Sequence, residues 1–229
     1  MAMEGTTTRQ QEVVVVSSGA ELAGLLTLPE PASGLVLFAH GSGSSRLSRG
    51  NQAVARVLVA AGLGTLLFDL LTAAEERIDR RDSSLRFDIA LLGRRLIGAI
   101  DWVGRQPELS GLPLGLFGAS TGAAAALVAA AARPYPVAAV VSRGGRPDLA
   151  PAALPLVACP TCLIVGGQDF DVLRCNREAA TRLGVPHALQ VVPNAAHLFE
   201  EPGALDQVAC LARDWFLQHL AGAQSATVS

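Results

Sequence analysis

The chain alternates between short runs that are apolar at nearly every position and longer runs with helical periodicity. Gly34 to Ala39, Thr65 to Phe68, Leu114 to Phe117, Val137 to Val141 and Thr161 to Val165 belong to the first kind. Continuous apolar runs of this length are how strands buried on both faces of a sheet read. His187 to Val192 extends the series. Asn51 to Ala61, about Leu85 to Arg105, Thr121 to Ala132, the stretch from Asp171 to about Leu183, and Asp206 to Leu220 read as helices. Gly62, Pro107 and Pro134 stop the first three of these. Trp215, Phe216 and Leu211 fall on the apolar side of the last helix.

Upstream, Val13 to Ser17 and Glu21 to Leu28 flank Ser18-Gly19 and predict an antiparallel hairpin, with Pro29-Glu30-Pro31 breaking its second strand. Leu70 to Asp82 is rich in Glu and Arg and is expected to be irregular, its charged part from Glu75 a solvated loop at the mouth of a site. Asp148 to Leu154 is expected to form a short helix. Strands alternating with helices imply a mostly parallel sheet covered on both faces. The expectation is one three-layer α/β domain over residues 12–221, with flexible tails at 1–11 and 222–229.

Composition narrows the chemistry. Of 229 residues 50% are hydrophobic and 17% charged, as in a compact globular chain. A net charge of −2 makes no electrostatic case for nucleic acid or an anionic membrane, and no apolar run is long enough to span a bilayer. The polar Met1 to Gln11 lacks a basic-then-apolar signal design, so a cytoplasmic location is expected. All basic residues are Arg, which excludes Schiff-base and Ser-Lys chemistry. Cys159-Pro-Thr-Cys162 matches a redox spacing but runs into the strand Leu163-Ile164-Val165, so its thiols read as small buried apolar groups. No second Cys/His pair completes a metal site, and neither metal nor cofactor is expected.

The chemistry-bearing stretch is Gly118-Ala119-Ser120-Thr121-Gly122, between the strand Leu114 to Phe117 and an alanine-rich helix. A strand that turns sharply into a helix strains its corner residue and lifts a serine hydroxyl clear of the sheet. Ser120 is therefore the candidate nucleophile. Ligands in such sheets bind beyond the carboxyl ends of strands, and three further polar loops follow strand ends. They carry His40-Gly41-Ser42, Asp169 with Asp171 close behind, and His197. His187 and His219 read as surface or helix-end residues. Arg46, Arg86, Arg143 and Arg146 are mostly solvated charges, Arg143 being the best placed for a substrate because it follows a strand end.

On these residues the chain resembles the α/β-hydrolases, in which nucleophile, acid and base follow in the order Ser, Asp, His. More narrowly, it resembles a small, nearly capless dienelactone-hydrolase-like branch, some of whose members are joined to a phosphoribosyltransferase domain. The resemblance rests on His40 to Arg46, Leu70-Leu71-Thr72 with Glu75-Glu76, Arg86 to Ile89, Gly118 to Gly122 and His197-Leu198-Phe199-Glu200. It implies an α/β-hydrolase fold with a minimal cap and a triad of Ser120, Asp169 and His197, favouring Asp169 over Asp171. It also implies an oxyanion hole at the amides of Ser42 and Thr121. Dienelactone hydrolases proper use Cys where this chain has Ser120, so their lactone is not carried over. The expected activity is hydrolysis of a small ester, thioester or lactone, with an ester-like small molecule as partner and a homodimer left open. A non-catalytic module, or an acyltransferase or perhydrolase on the same residues, is the alternative. Leu71, Phe199 and Arg143 are the expected substrate-binding residues, with Arg86 and Phe170 also shaping the pocket.

Overall fold

The computed structural model describes residues 7–220. Its strands are β1 (Thr7–Ser17), β2 (Ala20–Glu30), β3 (Leu35–Ala39), β4 (Gly64–Phe68), β5 (Leu114–Ala119), β6 (Val137–Arg143), β7 (Thr161–Gly166) and β8 (His187–Val192). They form one eight-stranded sheet in the order β1-β2-β4-β3-β5-β6-β7-β8. The β1–β2 and β2–β4 pairs are antiparallel, and every later pair is parallel. The helices are α1 (Arg49–Ala60), α2 (Ala73–Asp82), α3 (Ile89–Gly104), α4 (Thr121–Ala132), α5 (Phe170–Ala180) and α6 (Ala204–Leu220).

The central strands β3, β4, β5 and β7 are buried at every residue. Side chains alternate across a strand, so each feeds two cores. Leu114 and Leu116 of β5 join the layer made by α3 and α4, while Phe117 joins the layer made by α1 and α6. Gly115 faces that second layer, where a Cβ would lie 2.6 Å from the Phe216 ring of α6. The alanine run of α4 has a packing reason. The helix is buried almost all round, and α3 comes so near that a Cβ on Gly93 would sit 2.8 Å from Val128.

Five expectations need correction. β1 begins at Thr7, so residues 7–11 are paired strand, their partners lying in Leu26 to Glu30. The rest of the expected tails, 1–6 and 222–229, lies outside the described residues. Pro29 does not end β2, which runs on to Glu30. Beyond Thr27 that strand pairs with β1 alone, a position where a strand tolerates proline. The segment after Leu70 is not irregular: α2 occupies 73–82, started by a reciprocal capping box between Thr72 and Glu75. The long helix divides. Leu85–Phe87 is a single 3-10 turn, and α3 starts afresh at Ile89 with the Asp88 carboxylate accepting the Leu91 amide. The helix expected at Asp148 to Leu154 is two 3-10 turns, Pro147–Leu149 and Leu154–Leu156.

Candidate active site

The turn from β5 into α4 is forced by close approach. A Cβ on Gly118 would lie 2.4 Å from the Ala123 Cα, and one on Gly122 would lie 2.2 Å from the Ala39 carbonyl oxygen of β3. Only glycine allows both contacts. Between them Ser120 takes φ +51, a left-handed conformation of the kind that costs a non-glycine residue about 1–3 kcal/mol. The corner is held from both sides: the Ser120 amide donates to the Arg143 carbonyl at 3.1 Å, and the Ser120 carbonyl accepts from Ala123 and Arg146.

His197 lies on the loop after β8. Its Nε2 is 3.3 Å from Ser120 Oγ, and its Nδ1 is 2.6 Å from Asp169 Oδ2. Because the Asp169 carboxylate can only accept, Nδ1 carries the proton and Nε2 presents its lone pair to the Ser120 hydroxyl. Asp169 ends the turn after β7 and precedes α5, but its side chain caps no amide of that helix, which leaves it for His197. The two loops are tied to each other. Gln168 donates its amide to the Ala195 carbonyl at 2.9 Å, and within the His197 loop the Ala196 amide donates to Glu201 Oε1 at 2.9 Å. Asp171, the rival acid, points to solvent with a 94% exposed side chain and pairs loosely with Arg174 at 3.6 Å.

The loop after β3 faces the elbow from the other side. Ser42 Oγ and Thr121 Oγ1 are hydrogen-bonded at 3.0 Å. Thr121 is the first residue of α4, where an amide has no intrahelical partner and the helix dipole favours negative charge. His40 fixes this loop. Its Nδ1 donates to the Gly41 carbonyl at 3.0 Å and its Nε2 accepts the Leu70 amide at 3.0 Å, which defines a neutral tautomer. Burial is the largest influence on that ring and holds its pKa below the ordinary 6.5, against smaller opposing effects of Gly41, Asp69 and Glu76. Arg46 adds a second tie, its amide and guanidinium both binding the Asp69 carboxylate, at 2.7 and 2.6 Å.

A cavity of about 300 Å³ opens beside this loop, bordered by Ser42, Thr121, Leu71, Glu76 and Arg86. The α2 segment thus edges the site as expected, but as a helix whose charges are partly spent on structure. Asp79 is 3% exposed and accepts the amides of Leu85 and Arg86 and the Arg86 Nε. Glu75 binds Arg95, which in turn donates to the Ser17 carbonyl of β1. A larger groove of about 690 Å³ between β2 and α1 contains none of these residues.

Of the three expected substrate contacts, Leu71 alone lines this cavity. Phe199 is 1% exposed and belongs to the core, and the Arg143 guanidinium lies over its ring, 5.8 Å from the centroid. Both border a separate groove of about 500 Å³ with Gly50 and Leu198. Phe170 is 70% exposed and lines neither space. The other arginines are paired, Arg86 with Asp79 and Arg146 with Asp148. His187 is exposed, as expected, and His219 packs on Trp215 at the end of α6. The sequence shows neither a role for Glu201 nor the left-handed backbone, at φ +57, of Phe199, a residue expected only as a substrate contact. Neither leaves a signal in a pattern, since each matters only through a loop it folds back on. The Cys159 and Cys162 thiols are buried, which pushes their pKa values up to about 11 and about 12 and away from redox work.

No group of three or more His, Cys, Asp and Glu side chains that could hold a metal is found among the described residues, and no helix there is long and apolar enough to cross a membrane. Comparison with known proteins adds the lineage. A crystal structure of a dienelactone hydrolase from Anabaena variabilis is 56% identical, covers 93% of this chain and 99% of its own, and superposes with a TM-score of 0.92. A promiscuous dienelactone-hydrolase-like phosphotriesterase from metagenomic libraries shares the fold at 20% identity and a TM-score of 0.75, over 94% of this chain and 99% of its own. Two proteins of Mycobacterium tuberculosis, strains CDC 1551 / Oshkosh and H37Rv, are each named a putative phosphoribosyl transferase. Each is 56% identical over 214 residues, which are 93% of this chain and 47% of the relative. The chain therefore spans about half the length of those two relatives. Residues 27–219, from β2 to the end of α6, match the dienelactone hydrolase family, and to that family the chain belongs.

Proposed function

We propose that the protein is a serine hydrolase that cleaves a small carboxylic ester, thioester or lactone through an acyl-enzyme on Ser120. The observation that carries this reading is the hydrogen-bonded line from Ser120 Oγ through His197 to Asp169, with the serine at a strained strand-to-helix corner. In this mechanism His197 Nε2 takes the hydroxyl proton as Oγ attacks the carbonyl carbon. Asp169 holds the ring in the Nδ1–H tautomer and faces the imidazolium charge that forms. The carbonyl oxygen becomes an anion between the amides of Ser42 and Thr121. Loss of one such donor typically costs about 3–4 kcal/mol of transition-state stabilisation. As the tetrahedral species collapses, the C–O or C–S bond breaks and Nε2 returns the proton to the departing alcohol or thiol. Water repeats the sequence on the acyl-enzyme.

The cavity of about 300 Å³ is at the small end for ligand sites; Ser42 and Thr121 line it, while Ser120, His197 and Asp169 do not, so it lies on the oxyanion side of the elbow. α2 is the main insertion between β4 and α3, too little for a large lid. A fluorophosphonate probe is expected to label Ser120 in the wild type and not in Ser120→Ala. Wild-type protein that stays unlabelled, and inert towards short p-nitrophenyl esters, would sink the proposal.

The half-length match to proteins named putative phosphoribosyl transferases favours a second reading, a non-catalytic companion of a transferase domain. That reading expects a partner to bind Ser120→Ala as tightly as wild type, and no ester turnover. Acyl transfer on the same residues is separated from hydrolysis by product analysis with a competing alcohol or peroxide.

A further inference from the structure

Arg143 closes β6, the strand beside the one that carries the serine elbow, and its carbonyl accepts the Ser120 amide. Its side chain reaches the first turn of α1, where Nη1 would be 2.9 Å from a Cβ on Gly50, and its guanidinium lies over the Phe199 ring. This is an unfavourable place for a cation. Burial alone pulls its pKa below the ordinary arginine value, no carboxylate opposes that shift, and its buried Nε has no hydrogen-bond partner among the described residues. The N-terminal end of α1 also carries the positive pole of the helix dipole. Positions where a chain departs from stability rules without a structural return are where function is to be sought.

The function is legible in what Arg143 touches. Phe199 is a bulky, fully buried residue at φ +57, two positions after His197. Such a conformation persists only where its surroundings over-determine it. Gly144, directly after Arg143 and itself at φ +52, backs the same turn. A Cβ there would be 3.3 Å from the His197 carbonyl oxygen and 3.5 Å from both the imidazole Cε1 and the Phe199 ring. One dipeptide thus binds the Ser120 backbone, covers Phe199 and supports His197.

We propose that Arg143 is a positioning residue, whose guanidinium over the Phe199 ring keeps the strained 197–199 turn from relaxing and so aims His197 Nε2 at Ser120 Oγ. The attraction is that of a cation for an aromatic face, strengthened where water is excluded. The inference rests on the serine-hydrolase reading, and it replaces the substrate-binding role expected for Arg143.

Arg143→Met keeps the bulk and removes the charge, Arg143→Lys keeps the charge, and Phe199→Leu removes the ring. For Arg143→Met, kcat on p-nitrophenyl acetate and the rate of fluorophosphonate labelling are expected to fall about tenfold to a hundredfold, the scale of a misaligned base. KM is expected to stay within about twofold, since no substrate contact is lost. Arg143→Lys should recover part of the rate. Phe199→Leu should match Arg143→Met, and the double variant should lose no more than the worse single, because both break one contact. The 15N resonances of the His197 imidazole read the ring's hydrogen bonds without substrate. They should shift in Arg143→Met and move back in Arg143→Lys. A raised KM at constant kcat, additive losses, or unmoved resonances would each overturn the inference. If wild type is not labelled, the hydrolase reading falls while the resonances still decide whether Arg143 holds the ring. If Phe199→Leu does not fold, the Lys and Met pair decides alone.

Discussion

Asp79→Asn isolates one charge beside the candidate site. The carboxylate of Asp79 is 3% exposed, accepts two backbone amides and is bound by Arg86 Nε at 2.7 Å. Asparagine fills the same volume and its carbonyl oxygen can still accept the two amides, but its NH₂ then meets the Arg86 N–H, donor against donor. Removing one partner of a buried pair costs about 3–5 kcal/mol. The low end, about 3 kcal/mol, applies here because the Arg86 side chain keeps 25% of its surface in water. For a chain of this size that is a fall in Tm of about 6–12 °C. The pH dependence has a definite sign. Burial pushes the Asp79 carboxyl up, but the Arg86 amide, the Arg86 guanidinium and the Leu85 amide together outweigh it and leave the pKa below the ordinary 3.8. A carboxyl lowered on folding contributes stability above its unfolded pKa and loses it as pH falls through the folded value. Calorimetry of wild type and variant between pH 7 and pH 2.5 should show a constant gap down to about pH 4 that closes below it. A gap under about 2 °C at pH 7, or one that does not narrow in acid, would refute the reasoning.

Three further outcomes are expected. Asp169→Asn should lower kcat by about 10⁴ with the fold intact, while Asp171→Asn, whose side chain is 94% exposed, should stay within about twofold; ester kinetics on both variants decides the acid. Gly115→Ala drives a Cβ to 2.6 Å from the Phe216 ring, an overpacking of about 1–3 kcal/mol; denaturant melts should show it, with Phe216→Leu restoring most of the loss. His40 stays neutral by burial below the ordinary 6.5, so the unfolded chain takes up a proton first and stability should fall as pH drops through about 6.5. His40→Gln should flatten that part of the slope in guanidinium titrations at pH 7.5 and 5.5.

The misread segments share a physical reason. Residues 73–82 lack an apolar stripe, because the helix buries little hydrocarbon and is held by a capping box and by ion pairs to Arg86 and Arg95, seven and twenty residues further on. Thr72 and Glu75, three apart, were its available signal. Thr7 to Glu12 lacks alternation because that end of β1 is exposed on most positions, and pairing with β2 alone makes it a strand. Arg143 and Phe199 were both legible as residues near strand ends, but nothing along the chain says that they stack on each other.

The order of the strands and of every α-helix but α2, the elbow at Ser120 and the placing of His197 after the last strand were all determined by the sequence. Buried parallel strands must be continuous apolar runs, and the elbow needs glycine on both sides wherever backbones come within contact distance. Tertiary structure alone decided that Asp169 and not Asp171 faces the imidazole, that Phe199 is core and not pocket, and that Arg143 turns to an aromatic ring. Each of these depends on which loop lies across from a side chain. That is a distance between residues tens of positions apart, and local pattern does not encode it.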